Sequence, residues 1–332
     1  MVALRLAFFS GFQLGSRQPA GVEMLLRRGE KLSMILITAI FAVDLGIVLV
    51  RAIPVDWLGY VAGVAIGLMA ISLGQFYRIV RPNEEIALAA TAAGLFVLFT
   101  ICASILNYSL LPVGGRRIDM LLMRIDGLLG YSWPAAVEAA AAVPVIGLLL
   151  GVIYLSSLVQ MVVVICLLGF SGRGADLQRF MFTGILAGLA AIVIWAVIPS
   201  SGPSSYQEIP SETANKIRLI VGASYGVELN RLALEGPTLI SPRDALGLIA
   251  FPSFHTVMAC LAVWFTMGFR RVFPIFAIVN ALMMPAILVH GGHHLVDVFG
   301  GLTLFAAALL VGRAVVSSYE LDKDVDVRPV HA

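Results

Sequence analysis

Eight apolar stretches, each about the length of a membrane-spanning helix, alternate along the chain with more polar segments. They cover residues 34–53, 57–76, 87–112, 144–169, 181–199, 252–269, 273–290 and 296–316. A helix needs roughly 20 consecutive, mostly apolar residues to cross the ~30 Å hydrocarbon core of a bilayer. Helices also satisfy their own backbone hydrogen bonds, which hydrocarbon cannot do for them. The pattern therefore predicts an all-α, polytopic membrane bundle of about eight spanning helices.

The polar segments divide the chain into four predicted regions. Residues 1–33 are expected to form a cytoplasmic or interfacial arm, because they lack a long apolar core followed by a small-residue cleavage site. Residues 34–112 hold the first three spans, and residues 113–318 hold the other five. Residues 319–332 are then a cytoplasmic tail.

Composition narrows the class of protein further. Hydrophobic residues make up 60% of the 332 residues, charged residues make up 13%, and the mean hydropathy is +0.96. A soluble protein cannot hide that much apolar surface from water. The net charge is only +2 and no basic tract occurs, so nucleic acid is not an expected partner. The chain is therefore predicted to be an integral, multi-pass membrane protein.

The distribution of lysine and arginine predicts the orientation of the bundle. With the N-terminus inside, 14 of the 22 cations fall at inner ends of spans. Seven of the other eight lie in two long outer segments, 113–143 and 200–251, where charge influences orientation least. The short loops agree with one another, since their arginines all fall on one side: Arg78, Arg81, Arg173, Arg179, Arg270 and Arg271. Both termini are therefore predicted to be cytoplasmic.

Four of the five histidines lie in two short segments. One is Phe251-Pro-Ser-Phe-His255, and the other is His290-Gly-Gly-His293-His294-Leu-Val-Asp297. His255 and His293 are 38 residues apart, and the chain between them crosses the membrane and returns. Two antiparallel spans bring the chain back to the face that it left. We therefore expect both segments at the outer ends of neighbouring helices, close enough to contact one phosphate.

The residue types in these segments indicate phosphoryl transfer. His293 and Asp297 are four residues apart, so they lie on one face of a helix. A carboxylate beside an imidazole fixes its tautomer and stabilises the imidazolium. Pro252-Ser253 and Gly291-Gly292 are typical of helix starts, where free backbone N–H groups bind anions. Two histidines at an anion site are suited to moving a phosphoryl group.

These motifs resemble those of the type 2 phosphatidic acid phosphatase superfamily. Pro252-Ser253-Phe254-His255 resembles its Pro-Ser-x-His signature, and His293-x-x-x-Asp297 resembles its His-x-x-x-Asp signature. The details are most similar to the inositol phosphorylceramide synthase-like branch, through Phe251 to His255 and through Gly291-Gly-His293-x-x-x-Asp297-x-x-x-Gly301. Asp126 to Trp133 also resembles a segment of bacterial members.

The resemblance implies a function and a set of roles. Residues 113–318 would form the catalytic domain of a lipid phosphatase or a lipid head-group phosphotransferase, facing the periplasm from a bacterial inner membrane. His293 would attack phosphorus and Asp297 would orient it, while His255 would exchange protons with the leaving and accepting oxygens. Ser253 and Gly292 would contact phosphate oxygens. The substrate would be a lipid phosphate or phospholipid within the bilayer, with no metal or cofactor required.

The chain departs from the superfamily pattern where phosphate-binding cations are expected. The segment from Trp195 to Pro203 contains no cation, and Ile287 stands where an arginine is expected six residues before His293. Cations of the outer segment could replace them, with Arg231 and Arg243 as the leading candidates and two others behind them, Lys216 and Arg218. Three acidic residues lie on the same side, but nothing in the sequence ties them to the histidines: Asp119, Asp126 and Glu138.

Two other functions fit the same residues. The histidines and Asp297 could bind a metal in a transporter or a redox protein, since imidazole and carboxylate are acceptable ligands. The missing arginines could instead mark an inactive lipid-binding scaffold. Metal analysis and turnover of a lipid phosphate separate these alternatives from the enzyme.

Overall fold

A computed structural model describes residues 26–114 and 116–317. Most of the predicted arm and the whole predicted tail therefore lie outside the described residues. Thirteen α-helices form in this part of the chain. They are α1 (Arg28–Arg51), α2 (Trp57–Ile79), α3 (Glu84–Ser109), α4 (Asp119–Leu128), α5 (Trp133–Ala142), α6 (Pro144–Leu155), α7 (Ser157–Phe170), α8 (Gly174–Val197), α9 (Ser211–Ile217), α10 (Ala223–Glu235), α11 (Phe254–Thr266), α12 (Phe273–His290) and α13 (Leu295–Ser317).

The predicted helical membrane bundle is confirmed, although its number of spans is smaller than eight. Within the described residues, six helices are long and apolar enough to cross a membrane: α1, α2, α3, α8, α12 and α13. Helices α5 and α6 meet at a bend of 118° and make a seventh span if the bent pair counts as one. The chain is thus an integral, multi-pass membrane protein.

Two predicted spans are shorter than expected, and serine side chains explain where they stop. The stretch 144–169 is divided between α6 and α7 at Ser156, whose hydroxyl donates to the carbonyl of Ile153 at 2.6 Å and so competes with the helical bonds. The stretch 252–269 begins its helix only at Phe254, because Ser253 is the N-cap of α11 and accepts a bond from the Thr256 N–H at 3.4 Å.

The helix ends lie at two faces of the bundle. The site face holds the C-terminal ends of α1, α3 and α8 and the N-terminal ends of α11 and α13. There the Arg51 guanidinium donates to the carbonyl of Ser109 at 2.6 Å and ties α1 to α3. At the opposite face, the Arg78 guanidinium at the end of α2 donates two bonds to Glu30 at the start of α1, at 2.7 and 2.6 Å. An arginine therefore joins two neighbouring helices at each face.

The short-loop arginines that predicted the orientation gather at the opposite face. Arg173 precedes α8 and lies over the ring of Phe269, 4.9 Å from its centroid. Phe269 belongs to the loop that also holds Arg270 and Arg271. These cations therefore share one side of the bundle, with the histidine segments on the other.

One hydrophobic core joins the first three helices to the later ones. Helix α3 packs against α1, α7 and α8, while α8 packs against α1, α11 and α13. Leu95 of α3, Val164 of α7 and Leu261 of α11 are nearly or fully buried in this cluster. Helices α5, α6 and α12 form a second cluster around Met283 and Ile287. The two clusters hold α11, α12 and α13 from both sides and so fix their N- and C-terminal ends at the site face.

Candidate active site

The two histidine segments meet at the site face, as the hairpin argument predicted. His255 lies in the first turn of α11, and His293 lies two residues before α13. Their ring centroids are 6.4 Å apart. Tyr154 of α6 stacks on His255 with centroids 4.3 Å apart and an interplanar angle of 21°, which holds the ring in place. Both imidazoles can therefore reach one small group placed between them.

His293 and Asp297 form a buried pair. Nδ1 of His293 is 3.0 Å from Oδ2 of Asp297, and the two residues are 3% and 0% exposed. Because Asp297 engages Nδ1, Nε2 is the ring nitrogen left to meet a substrate. A Cβ at Gly291 would lie 2.8 Å from Cδ2 of His293 and 2.9 Å from a ring carbon of Tyr154, so glycine is needed at this position.

Ser253 and Gly292 lie beside this pair. The backbone N–H of Ser253 donates to the carbonyl of Asp297 at 3.0 Å, which joins the start of α11 to α13. The Ser253 hydroxyl oxygen accepts the capping bond, so its own hydrogen stays available to another acceptor. Gly292 has φ of +56° and packs closely against Ser204 and Val221, a conformation and a space that favour glycine.

The arginines expected to bind phosphate have other surroundings. The Arg231 guanidinium donates to Glu228 at 2.9 and 2.6 Å and lies 3.9 Å from Glu235, three and four residues away on the same helix. Arg243 is exposed, and its backbone N–H donates to the Ser241 hydroxyl at 3.3 Å. Among the described contacts, none joins either arginine to His255 or His293. The expectation that they turn toward the histidines is not supported.

The sequence considered His294 only as a candidate metal ligand, but its ring contacts an acidic residue 168 positions earlier in the chain. Nδ1 of the fully buried His294 is 2.7 Å from Oδ2 of Asp126 in α4, and Oδ1 of Asp126 accepts the backbone N–H of Leu295 at 3.0 Å. The interpretation that nothing ties Asp126 and Asp119 to the histidines was therefore wrong. The available signal was their spacing, since acids seven residues apart share one face of a helix.

Asp119, at the start of α4, lies on the other side of the His294 ring. Its Oδ1 is 3.5 Å from Nε2 of His294. The same oxygen accepts the Ser200 hydroxyl at 2.9 Å and the backbone N–H groups of Ser201 and Gly202 at 2.9 and 2.7 Å. This loop is the cation-free segment between Trp195 and Pro203. Its donors therefore bind a carboxylate of the chain itself.

The two acids decide the charge of His294. Nδ1 of His294 is within hydrogen-bonding distance of Asp126, whereas Nε2 makes no hydrogen bond among the described contacts and lies 3.5 Å from Asp119, within the range of an ion pair. Burial alone lowers the pKa of His294, but the carboxylates of Asp119, Asp126 and Asp297 outweigh it and raise the pKa to about 9. His294 is thus a buried cation at neutral pH.

His290, the fourth histidine of the two segments, contacts the backbone of a neighbouring helix. Nε2 of the buried His290 is 2.8 Å from the carbonyl of Gly147, which ties α12 to α6. Over residues 26–114 and 116–317, no group of three or more histidine, cysteine or acidic side chains is arranged to hold a metal ion. The metal-binding alternative therefore has no ligand cluster to support it in this part of the chain.

Comparisons with known proteins agree with the motifs. A family model described as the PAP2 superfamily matches residues 120–311. The comparisons with curated proteins and with solved structures gave no match. The matched range runs from α4 into α13, so it includes both histidine segments and Asp126 and leaves out α1 to α3.

Proposed function

Because this chain belongs to the PAP2 superfamily, whose members are phosphatases or phosphotransferases, we propose that it transfers a phosphoryl group from a membrane lipid through a phosphohistidine. The observation that supports this most is the buried His293–Asp297 pair facing His255 across 6.4 Å. With water as the acceptor, the protein is a lipid phosphatase. With an alcohol as the acceptor, it is a lipid head-group phosphotransferase.

The first proposed step forms a bond between Nε2 of His293 and phosphorus while the bond from phosphorus to the leaving oxygen breaks. Asp297 accepts the Nδ1–H of His293 and so keeps Nε2 unprotonated for attack. As the nucleophile loses its lone pair, the carboxylate offsets the positive charge on the ring. The negative charge of a bound phosphate favours the imidazolium of His255, which then gives its proton to the leaving oxygen, and the leaving group departs as an alcohol.

The second proposed step regenerates the enzyme. The oxygen of water or an alcohol attacks phosphorus, the nitrogen–phosphorus bond breaks, and neutral His255 takes the proton of the acceptor. The Ser253 hydroxyl and the backbone N–H groups near Gly292 supply donors for the phosphate oxygens. Arg231 is engaged by Glu228, and no described contact joins Arg243 to the histidines, so neither arginine is assigned a step.

A lipid substrate is favoured by the position of the site. Both histidines lie at the ends of apolar helices, where a membrane lipid carries its phosphate. Gly291-Gly-His293-x-x-x-Asp297-x-x-x-Gly301 supports a place near the inositol phosphorylceramide synthase-like branch. Because the short-loop cations lie at the opposite face, the site is proposed to face the periplasm of a bacterial inner membrane.

Three variants and one control test this proposal on purified protein. His293→Ala removes the nucleophile, so turnover of lipid phosphates should vanish. Asp297→Asn should lower kcat on the order of 10⁴-fold, as in other histidine–aspartate pairs. His255→Ala removes the proton donor, so it should spare a nitrophenyl phosphate, whose leaving group needs little protonation, more than a lipid alkoxide. His290→Gln is the control, since His290 contacts only the fold.

Rapid quench with a radiolabelled donor gives a second readout. Acid-labile phosphoprotein should accumulate in His255→Ala and be absent from His293→Ala. Equal loss on both substrates without trapped phosphoprotein would overturn the assigned roles. No turnover of any lipid phosphate by the intact protein would favour the lipid-binding scaffold instead.

A further inference from the structure

His293, His294 and Leu295 are three consecutive residues that are anchored by two acids. Oδ2 of Asp297 accepts from the His293 ring at 3.0 Å and also from the backbone N–H of His294 at 2.8 Å. Asp126 holds the His294 ring at 2.7 Å and the Leu295 N–H at 3.0 Å. The direction of the His293 ring therefore depends on bonds made by the next two residues.

The contacts of His294 connect the start of α13 to helix α4 and to the loop after α8. Asp126 and Asp119 belong to α4, and Asp119 binds the loop Ser200–Gly202 through one oxygen. Gly202 has φ of +84°, and its missing Cβ leaves the space that the Gly292 carbonyl fills. The His294 ring thus lies between α4, this loop and the start of α13. A displacement of the ring would move all three.

We propose that His294, held between Asp126 and Asp119, is a positioning residue that fixes the His293–Asp297 pair for phosphoryl transfer. This inference rests on the proposed function. His294 does not touch the substrate in this scheme. Its ring places the first turn of α13, and its backbone N–H donates to Oδ2 of Asp297 at 2.8 Å. Without it, Asp126 and Asp119 would be buried carboxylates with no cation between them.

The groups that face His294 determine the pH at which its ring loses a proton. Asp126 and Asp119 face it from α4, and Asp297 faces it from its own helix. Tyr206, from the loop after α8, lies near Asp119. Arg117 lies over the Tyr206 ring at 5.0 Å. Three carboxylates therefore surround one histidine, and the loss of its proton would leave them uncompensated beside the nucleophile.

Kinetics on His294→Gln and Asp126→Asn test the proposal. A misplacement of about 1 Å costs on the order of 10²-fold in rate, so both variants should lose about that much kcat with little change in KM. Asp126→Asn should also move the alkaline limb of the pH–rate profile to lower pH, because one carboxylate that favours the cation is gone. His290→Gln, which removes another buried histidine, should change neither kcat nor the profile.

Nuclear magnetic resonance of isotope-labelled histidine provides a readout that needs no turnover. In the intact protein, His294 should carry protons on both nitrogens at neutral pH, and His293 should carry its proton on Nδ1. In His294→Gln and in Asp126→Asn, His293 should show a mixture of tautomers, whereas His290→Gln should not alter it. An unchanged His293 tautomer in both variants would overturn the positioning role, whether or not the protein turns over a lipid phosphate. Equal kinetic losses in His290→Gln would overturn it too, by showing a general effect on folding.

Discussion

Raising the pH should destabilise the folded protein through the buried cation His294. Folding raises its pKa from about 6.5 to about 9, so the folded state holds this proton more tightly than the unfolded chain does. A raised histidine pKa contributes stability that is fully present below the unfolded pKa and is lost as the pH rises through the folded pKa. At about 1.4 kcal/mol for each pKa unit, this contribution is about 3 kcal/mol.

Thermal unfolding in lipid nanodiscs from about pH 7 to about pH 10 measures this loss. The intact protein should lose several degrees of Tm across the window. The double variant His294→Gln/Asp126→Asn replaces the charged pair with two amides, so this part of the pH dependence should disappear. His290→Gln should keep the full dependence, because it leaves the pair intact. Curves of equal slope for the intact protein and the double variant would refute the assignment of a buried cation at His294.

Two further predictions concern packing and orientation. Gly301→Ala places a methyl group 2.7 Å from Cβ of Thr256 and against the backbone of α11, so it should lower the free energy of unfolding by about 1–3 kcal/mol and lower kcat. The added methyl group of the control Gly46→Ala meets nothing within 4 Å, so this variant should change neither. Equal stability of the two variants in thermal unfolding would contradict this packing. In a cysteine-free background, Arg243→Cys should react with an impermeant thiol reagent in intact cells and Arg271→Cys should not; labelling with the opposite preference would reverse the proposed orientation.

The sequence predicted those parts of the site that depend on short-range geometry. His293 and Asp297 are four residues apart on one helix, and His255 is related to them by a helical hairpin of known length, so helix geometry alone brings them together. The same reasoning predicted a helical membrane bundle from the apolar stretches. It could not place the breaks at Ser156 and Ser253, since a serine side chain can either bond to its own helix or point elsewhere.

Helix geometry could not predict contacts between segments that are distant in sequence. Asp126 reaches His294 across 168 residues, and no periodicity links two helices that are so far apart in sequence. The predicted phosphate-binding cations depend on the same kind of contact: Arg231 lies in the predicted outer segment, but Glu228 and Glu235 on its own helix lie within ion-pair distance of its guanidinium. Side-chain pairing depends on how helices pack, and one sequence without its fold does not specify that packing.

The short helix α11 leaves part of a membrane crossing to backbone that is not helical. Its 13 residues rise only about 20 Å, whereas the hydrocarbon core of a bilayer is ~30 Å thick. Backbone outside a helix is tolerated at membrane depth only where protein encloses it. The segment before α11 meets this condition, because the backbone N–H groups of Ala250 and Ser253 donate to the carbonyls of Ser200 and Asp297 at 3.2 and 3.0 Å. Neighbouring segments thus replace the missing helical hydrogen bonds and keep acyl chains away from the start of α11.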